Sequence, residues 1–236
     1  MEQEHRKVEF EGFKWDLRLP SNIDTEIAEW RRWEPVVTKW ILSHLKDGDV
    51  ALDIGANIGW FTLLMARAVG SGTVEAFEPE PSFRERLRHH LAINNIENVI
   101  AWPWAVAGNN DAVMYVAKDG APYHSTAHVR TERKSGSDTE VSCVAIDGFW
   151  DGDRLDLIKI DVDGGEDEVL LGARETILIH RPRIAIEVAH RDTACLLESL
   201  GYEMRWERGM QVVTSENVNT IISRANPTIN LLCEPK

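Results

Sequence analysis

The chain has 236 residues, 43% of them hydrophobic and 28% charged, enough apolar surface for one sizeable core and too few residues for two full domains. Asp and Glu outnumber Lys and Arg by 39 to 26, and the formal net charge of -13 offers no general attraction to a phosphate backbone, so nucleic acid is not an expected partner. The opening MEQEHRKVEF is polar where a leader would be apolar, no run approaches the ~20 apolar residues of a membrane span, and Cys143, Cys195 and Cys233 are too scattered for a metal pair or a disulfide framework; a soluble cytoplasmic protein is expected.

In chain order, residues 23–45 carry Ile27, Trp30, Trp33, Val37, Trp40, Ile41 and Leu45 at helical spacing, divided or kinked at Pro35, and residues 1–46 are read as an N-terminal helical lid. Residues 50–54 form a short buried strand, a glycine loop follows, and an apolar helix spans 60–69. Strand, helix and strand recur at 73–77, 82–94 and 98–106. Residues 108–146 break the rhythm: they are rich in Gly, Asn, Asp, Ser and His, with strand-like pieces at 112–116 and 140–146, and are read as an insertion facing substrate. The alternation resumes with a strand at 155–160, a helix at 167–179, a strand at 183–188 and a helix at 193–200; 202–206 and 229–233 close the sheet as an antiparallel edge pair. The expected architecture is a single α/β domain, Rossmann-like, with a mostly parallel seven-stranded sheet, an antiparallel edge strand and helices on both faces. Nine Trp residues stand out, with Trp30, Trp33, Trp40, Trp102 and Trp104 in two short stretches that suit either a pocket wall or a core.

The segment Asp53-Ile54-Gly55-Ala56-Asn57-Ile58-Gly59 joins a buried strand to a helix, the place where open α/β sheets bind ligands. Its spacing departs from GxGxxG because Asn57 stands at the middle glycine, and Asp53 ends the strand immediately before the loop. A carboxylate is unfavourable beside a pyrophosphate and favourable beside an ammonium and a sulfonium, so electrostatics select S-adenosylmethionine over a dinucleotide. A dinucleotide oxidoreductase is the weaker reading, because the loop has the wrong spacing for it. Glu78, in Phe77-Glu78-Pro79, ends the next strand where an acid accepts ribose hydroxyls.

These residues, with the segments DIGANIGWFTLLMA (53–66), FEPEPSF (77–83), the Asn94-Asn95 pair, AVAG (105–108) and IKIDVDGGEDEVLLGA (158–173), make the chain resemble the FkbM-type methyltransferases of the class I S-adenosylmethionine fold over about 33–188. By residue match the resemblance implies that Asp53, Gly55, Asn57 and Gly59 surround the methionine moiety, with Ala56 in the same loop. It implies that Glu78, followed by Pro79, holds the ribose, and that Ala105 and Val106 lie near the adenine. Where the family usually reads DVEG this chain has Asp163 in place of Glu, and Gly165 replaces the usual alanine.

The acids Asp161, Asp163, Glu166, Asp167 and Glu168 follow the fourth strand on the same sheet edge as the glycine loop. Asp167 and Glu168 are read as stabilising a helix start; Asp161, which also borders the cofactor, and Glu166 are candidate bases for a hydroxyl acceptor. His190, beyond Glu187 at the end of the next strand, is a third candidate, and His124 and His128 lie in the insertion. The acids have oxygen donors for a divalent cation but no regular ligand loop, so no metal site is assigned. The segment Asp161-Val162-Asp163-Gly164 is unlike the DPPY-type segment of base N-methylating enzymes. O-methylation of a hydroxyl on a small molecule, sugar or glycan is therefore the expected activity. A non-catalytic cofactor-binding module of the same fold, or an N-methyltransferase, is the alternative.

Overall fold

The apolar run Val50–Ile54 lies at the centre of the sheet, paired on both sides with parallel strands, and everything that builds the site hangs from its carboxyl end. The computed structural model describes residues 4–110, 113–118, 127–130, 138–225 and 228–236, and for 113–118 and 127–130 the backbone alone. Strands β1 (Glu4–Phe10) and β2 (Phe13–Leu19) form an antiparallel hairpin. Helix α1 (Asn22–Thr25) runs into a π-helical turn (Glu26–Trp30), and α2 (Pro35–His44) follows. The alternating part runs β3 (Val50–Ile54), α3 (Trp60–Val69), β4 (Thr73–Phe77), α4 (Pro81–Ile93) and β5 (Val99–Trp102). Next come β6 (Ala105–Val106), β7 (Val113–Lys118), β8 (Ala127–Arg130), β9 (Thr139–Val144) and α5 (Ile146–Phe149). The chain returns through β10 (Leu157–Ile160), α6 (Glu166–Gly172), α7 (Arg174–His180), β11 (Arg183–Val188) and α8 (Arg191–Ser199). It ends with β12 (Tyr202–Trp206), β13 (Gln211–Val213), α9 (Val218–Ala225) and β14 (Ile229–Pro235).

Among the described residues the main sheet has eight strands in the order β13-β12-β14-β11-β10-β3-β4-β5, with β11 to β5 parallel and β14 antiparallel to both of its neighbours. Two features correct the seven-stranded expectation. The pair formed by β12 and β14 is antiparallel as expected, but β14 lies inside the sheet, and the edge belongs to β13. Three residues, two of them exposed, are too short a strand to show alternation in sequence. The expected strand at 98–106 is also two: β5 joins the main sheet, and after Pro103 β6 joins a second sheet of order β6-β9-β7-β8 built from the insertion. His128 pairs through its backbone with Ala117 on β7, while its side chain and all of His124 lie outside the described residues.

The N-terminal lid is helical only from Asn22 onward. Residues 4–19 are a hairpin because Phe13, Trp15, Leu17 and Leu19 alternate with polar residues, putting every second side chain of β2 into the core. Glu11 and Gly12, at φ 51° and 74°, make its turn. Pro35 divides the following run by starting α2. Strands alternate their side chains between two cores. Ala51, Val74 and Ala76 face one built by β2, α2, α3 and α4, and Leu52, Ile54, Ile158 and Ile184 face the other, under α5 to α9. The hairpin packs at the site's doorstep, with Trp15 stacked on Trp60 at 5.4 Å between ring centroids. No helix among the described residues is long and apolar enough to cross a membrane.

Candidate active site

A cavity of about 280 Å³ opens where the carboxyl ends of β3, β4 and β10 meet, walled by Gly55, Ala56, Asn57, Glu78, Pro79, Ala105, Val106 and Asp161. The glycine loop is folded by its own backbone: Gly55 and Ala56 each donate N–H to the Phe77 carbonyl at 3.0 Å, and Gly59 donates to Ala56 at 2.9 Å. Gly55 sits at φ +85°, and a Cβ there would lie 1.8 Å from the Asp161 carbonyl oxygen, so glycine is required both by conformation and by the crossing of β10. Gly59, at φ +96°, caps α3 and packs against Leu87 behind the cavity wall. His90, buried under the loop, has Nδ1 2.8 Å from the Ile58 carbonyl oxygen and Nε2 at 3.1 Å from the backbone nitrogen and 3.2 Å from the carbonyl oxygen of Asp16. Burial lowers its pKa, so this link from hairpin to loop stays uncharged near neutrality.

Glu78 is 5% exposed and its carboxylate is aimed by two backbone groups: Oε2 accepts from Asn57 N–H and Oε1 from Glu80 N–H, each at 2.8 Å. Burial pushes its pKa up to about 7, against the pull of those two donors. Asp53 is brought to the same loop but not to the cavity wall. It is fully buried, with Oδ2 accepting the Thr62 hydroxyl at 2.5 Å and Oδ1 without a partner. Burial raises its pKa and the nearby Lys159 opposes this.

Lys159 is a residue that sequence reasoning missed. It is 4% exposed, with Nζ 3.0 Å from Asp161 Oδ2 and 4.9 Å from the Phe61 ring centroid. Burial works against its charge, and Asp161, Asp53 and Glu34 outweigh that penalty, holding the ammonium above its ordinary pKa. Its signal was present as the one polar residue inside the strand run Leu157–Ile160. Glu34 and Glu187 complete the wall. Burial first, and then the Asp161 charge, pushes Glu34 up to about 8 and Glu187 up to about 7. Glu187 accepts the Thr228 hydroxyl at 2.6 Å, and carboxylate oxygens of Asp161, Asp163 and Glu187 lie within 4.8 Å of one another.

The two other proposed bases stand elsewhere. Glu166 is 4% exposed and turned inward, accepting from Gly164 N–H at 3.0 Å and Gly165 N–H at 3.2 Å, so it closes the turn rather than walling the cavity. His190 is exposed at the start of α8, away from the cavity wall. Gly165, at φ +126°, has nothing within 4 Å of a Cβ position; the backbone path, not space, is what alanine would fail to match. Of the tryptophans singled out in the two stretches, Trp33 and Trp104 wall the cavity, Trp40 is in the core, and Trp30 is 65% exposed. Trp104 is braced by Trp102, stacked at 4.6 Å.

A mostly parallel sheet, a glycine turn at its carboxyl edge and a backbone-anchored acid closing the neighbouring strand form a Rossmann-like nucleoside-binding edge, an arrangement that suits the S-adenosylmethionine-dependent methyltransferase class. Glu78, presented to the cavity with its oxygens fixed, fits the ribose of that cofactor. Residues 53–204 match the family described as the methyltransferase FkbM domain, and the chain belongs to that family. It is 28% identical over 165 residues to methyltransferase sdnD of Sordaria araneosa, covering 57% of this chain and 64% of that protein, so the match spans less than two thirds of that relative. Methyltransferase 1 of Beauveria bassiana is 25% identical over 187 residues, covering 69% of this chain and 75% of that one. Among solved structures, the FkbM methyltransferase of Methylobacillus flagellatus superposes with a TM-score of 0.50 at 18% identity, over 80% of this chain and 44% of that one. An S-adenosylmethionine-dependent O-methyltransferase of Thermotoga maritima gives 0.50 at 18%, over 98% and 77%. These two structural likenesses are of fold.

Proposed function

We propose that the protein transfers the methyl group of S-adenosylmethionine to a hydroxyl oxygen of a small molecule, sugar or glycan. The observation that carries this is the meeting, on one cavity wall, of the nucleoside-type acid Glu78 with Asp161, a carboxylate held in place by a buried lysine. When bound, the cofactor supplies an electrophilic methyl on a sulfonium that leaves as a neutral thioether. Gly55, Ala56 and Asn57 line its amino-acid end, Glu78 accepts from the ribose, and Trp104, Ala105 and Val106 form the apolar wall for the base. Asp161 takes the acceptor proton as the O–CH₃ bond forms, and the Lys159 bond holds its carboxylate to one orientation. Trp33 and Glu34 cover the cavity from the lid side and limit water.

Incubation with labelled S-adenosylmethionine and a panel of hydroxylated acceptors tests the reading. Label is expected on oxygen, with S-adenosylhomocysteine released in equal amount; label confined to nitrogen overturns it. Asp161→Asn is expected to lower turnover by about 10²–10⁴-fold while the protein still binds S-adenosylhomocysteine. Unchanged turnover would remove Asp161 from the role of base.

A further inference from the structure

The cavity wall carries Glu34, Glu78, Asp161, Asp163 and Glu187, against Lys159 as the one basic side chain on it among the described residues. That lysine is engaged, hydrogen-bonded to Asp161 at 3.0 Å and drawn also by Asp53 beneath the loop. S-adenosylmethionine brings two positive groups and a carboxylate, a net single positive charge, so it balances only part of the acidic groups on this wall. The remaining acids come from elements outside the cofactor loop: Glu34 from the lid and Glu187 from β11. Glu34 Oε2 is shut off from solvent and has no hydrogen-bond partner. A buried polar atom left in that state is unfavourable until a ligand pairs with it. Trp33, next to Glu34, and Trp60 and Phe61 bring aromatic rings to the same wall.

Resting on the O-methyl reading above, we infer that the acceptor carries an ammonium group beside the hydroxyl that is methylated, as in an amino sugar or another amino alcohol, and that Glu34, Glu187 and Trp33 bind that group. An ammonium donates three hydrogen bonds, which suits carboxylates arriving from two elements, and its charge is attracted by aromatic faces. A divalent cation is the poorer occupant, because the Lys159 ammonium, 3.0 Å from Asp161 Oδ2, already offsets part of the charge that would attract it. The same acids protect the nitrogen: an amine held protonated has no lone pair, so attack is left to oxygen. The O–CH₃ bond then forms, the S–CH₃ bond breaks with its electron pair kept by sulfur, and the hydroxyl proton passes to Asp161. Phosphorylated or carboxylated acceptors meet a repulsive wall.

Matched acceptors test this: aminodeoxy sugars and 1,2-amino alcohols, each as the free amine and as its N-acetyl derivative, at fixed ionic strength. The free amines are expected to lead in kcat/KM by about tenfold or more, and Glu34→Gln or Glu187→Gln to shrink that ratio to about threefold or less. Calorimetry with the same compounds on protein saturated with S-adenosylhomocysteine is expected to show the same order of affinity, lost in Glu34→Gln. Equal or better use of the N-acetyl members, a preference untouched by both variants, or activation by added Mg²⁺ that Glu187→Gln abolishes would each overturn the inference. Transfer to neutral hydroxyls without preference overturns it and leaves O-methylation standing. No binding of S-adenosylhomocysteine and no transfer to any acceptor would overturn the parent reading as well.

Discussion

Glu78 stores a contradiction that pH can expose. Its carboxyl is buried and raised to about 7, yet the role proposed for it, accepting from a ribose, is served best by the ionised form. Affinity for S-adenosylhomocysteine should therefore fall as pH drops from about 8 toward 6, and Glu78→Gln should lose about 10–100-fold in affinity and flatten that dependence; calorimetry across the range reads both. Ligand-free stability should run the other way. Glu34, Glu78 and Glu187, at about 8, 7 and 7 in the folded chain against 4.5 as ordinary carboxyls, keep protons that the unfolded chain has released. Their contribution is full below the unfolded pKa and disappears as pH rises through the folded values, so the melting temperature should fall by roughly 5 °C between about pH 5 and pH 8. A rise over that window would contradict the burial of these acids. At this scale sequence reasoning named Gly55, Ala56, Asn57, Glu78, Pro79, Ala105, Val106 and Asp161, which wall the cavity, and also Asp53 and Gly59, which lie behind it. It could not place Glu34, because nothing local says that a residue at φ 42° ahead of a helix turns its carboxylate inward from 127 positions away from Asp161.

The elements that carry the lid are tied down by one buried ion pair. Arg86 on α4 donates to both carboxylate oxygens of Asp24 on α1, Nη1 to Oδ2 at 3.1 Å, and the two side chains are 8% and 0% exposed. Removing one partner strands a buried charge, so Asp24→Ala should cost about 3–5 kcal/mol in chemical denaturation, where an exposed pair such as Arg205 with Glu203 would cost under about 1 kcal/mol. A loss of that smaller size for Asp24→Ala would mean that the lid is held by its apolar contacts alone. Gly172, the last residue of α6, offers a second test: a Cβ there would lie 2.0 Å from the Ala107 carbonyl oxygen, so Gly172→Ala should destabilise by about 1–3 kcal/mol. The same position explains why the expected helix at 167–179 is two helices, since the break at Ala173 lets the chain pass β6 at close range. Helical and strand periods made α2, α3, α4, α8 and the parallel strands legible. The hairpin at 4–19 was legible too, in the alternation of Phe13, Trp15, Leu17 and Leu19. The helical period that begins at Ile23 was extended backward over a segment with a different period.

Across the whole molecule, the parallel pairing of β11, β10, β3, β4 and β5 was legible in the βα rhythm, whereas the inward place of β14 is a long-range pairing that no local pattern encodes. The charge of -13 and a cavity wall with one lysine argue for a small acceptor over a polyanion; an RNA oligonucleotide is expected to show no binding by fluorescence anisotropy at about 0.15 M salt, and saturable binding would contradict it. Everything rests on the claim that the edge formed by β3, β4 and β10 is a seat for S-adenosylmethionine. Calorimetric titration of the full chain with S-adenosylhomocysteine near neutral pH tests it most directly. The prediction is one saturable site with a Kd of about 1–100 μM, weakened in Glu78→Gln; no heat and no thermal shift up to about 1 mM ligand would contradict the account.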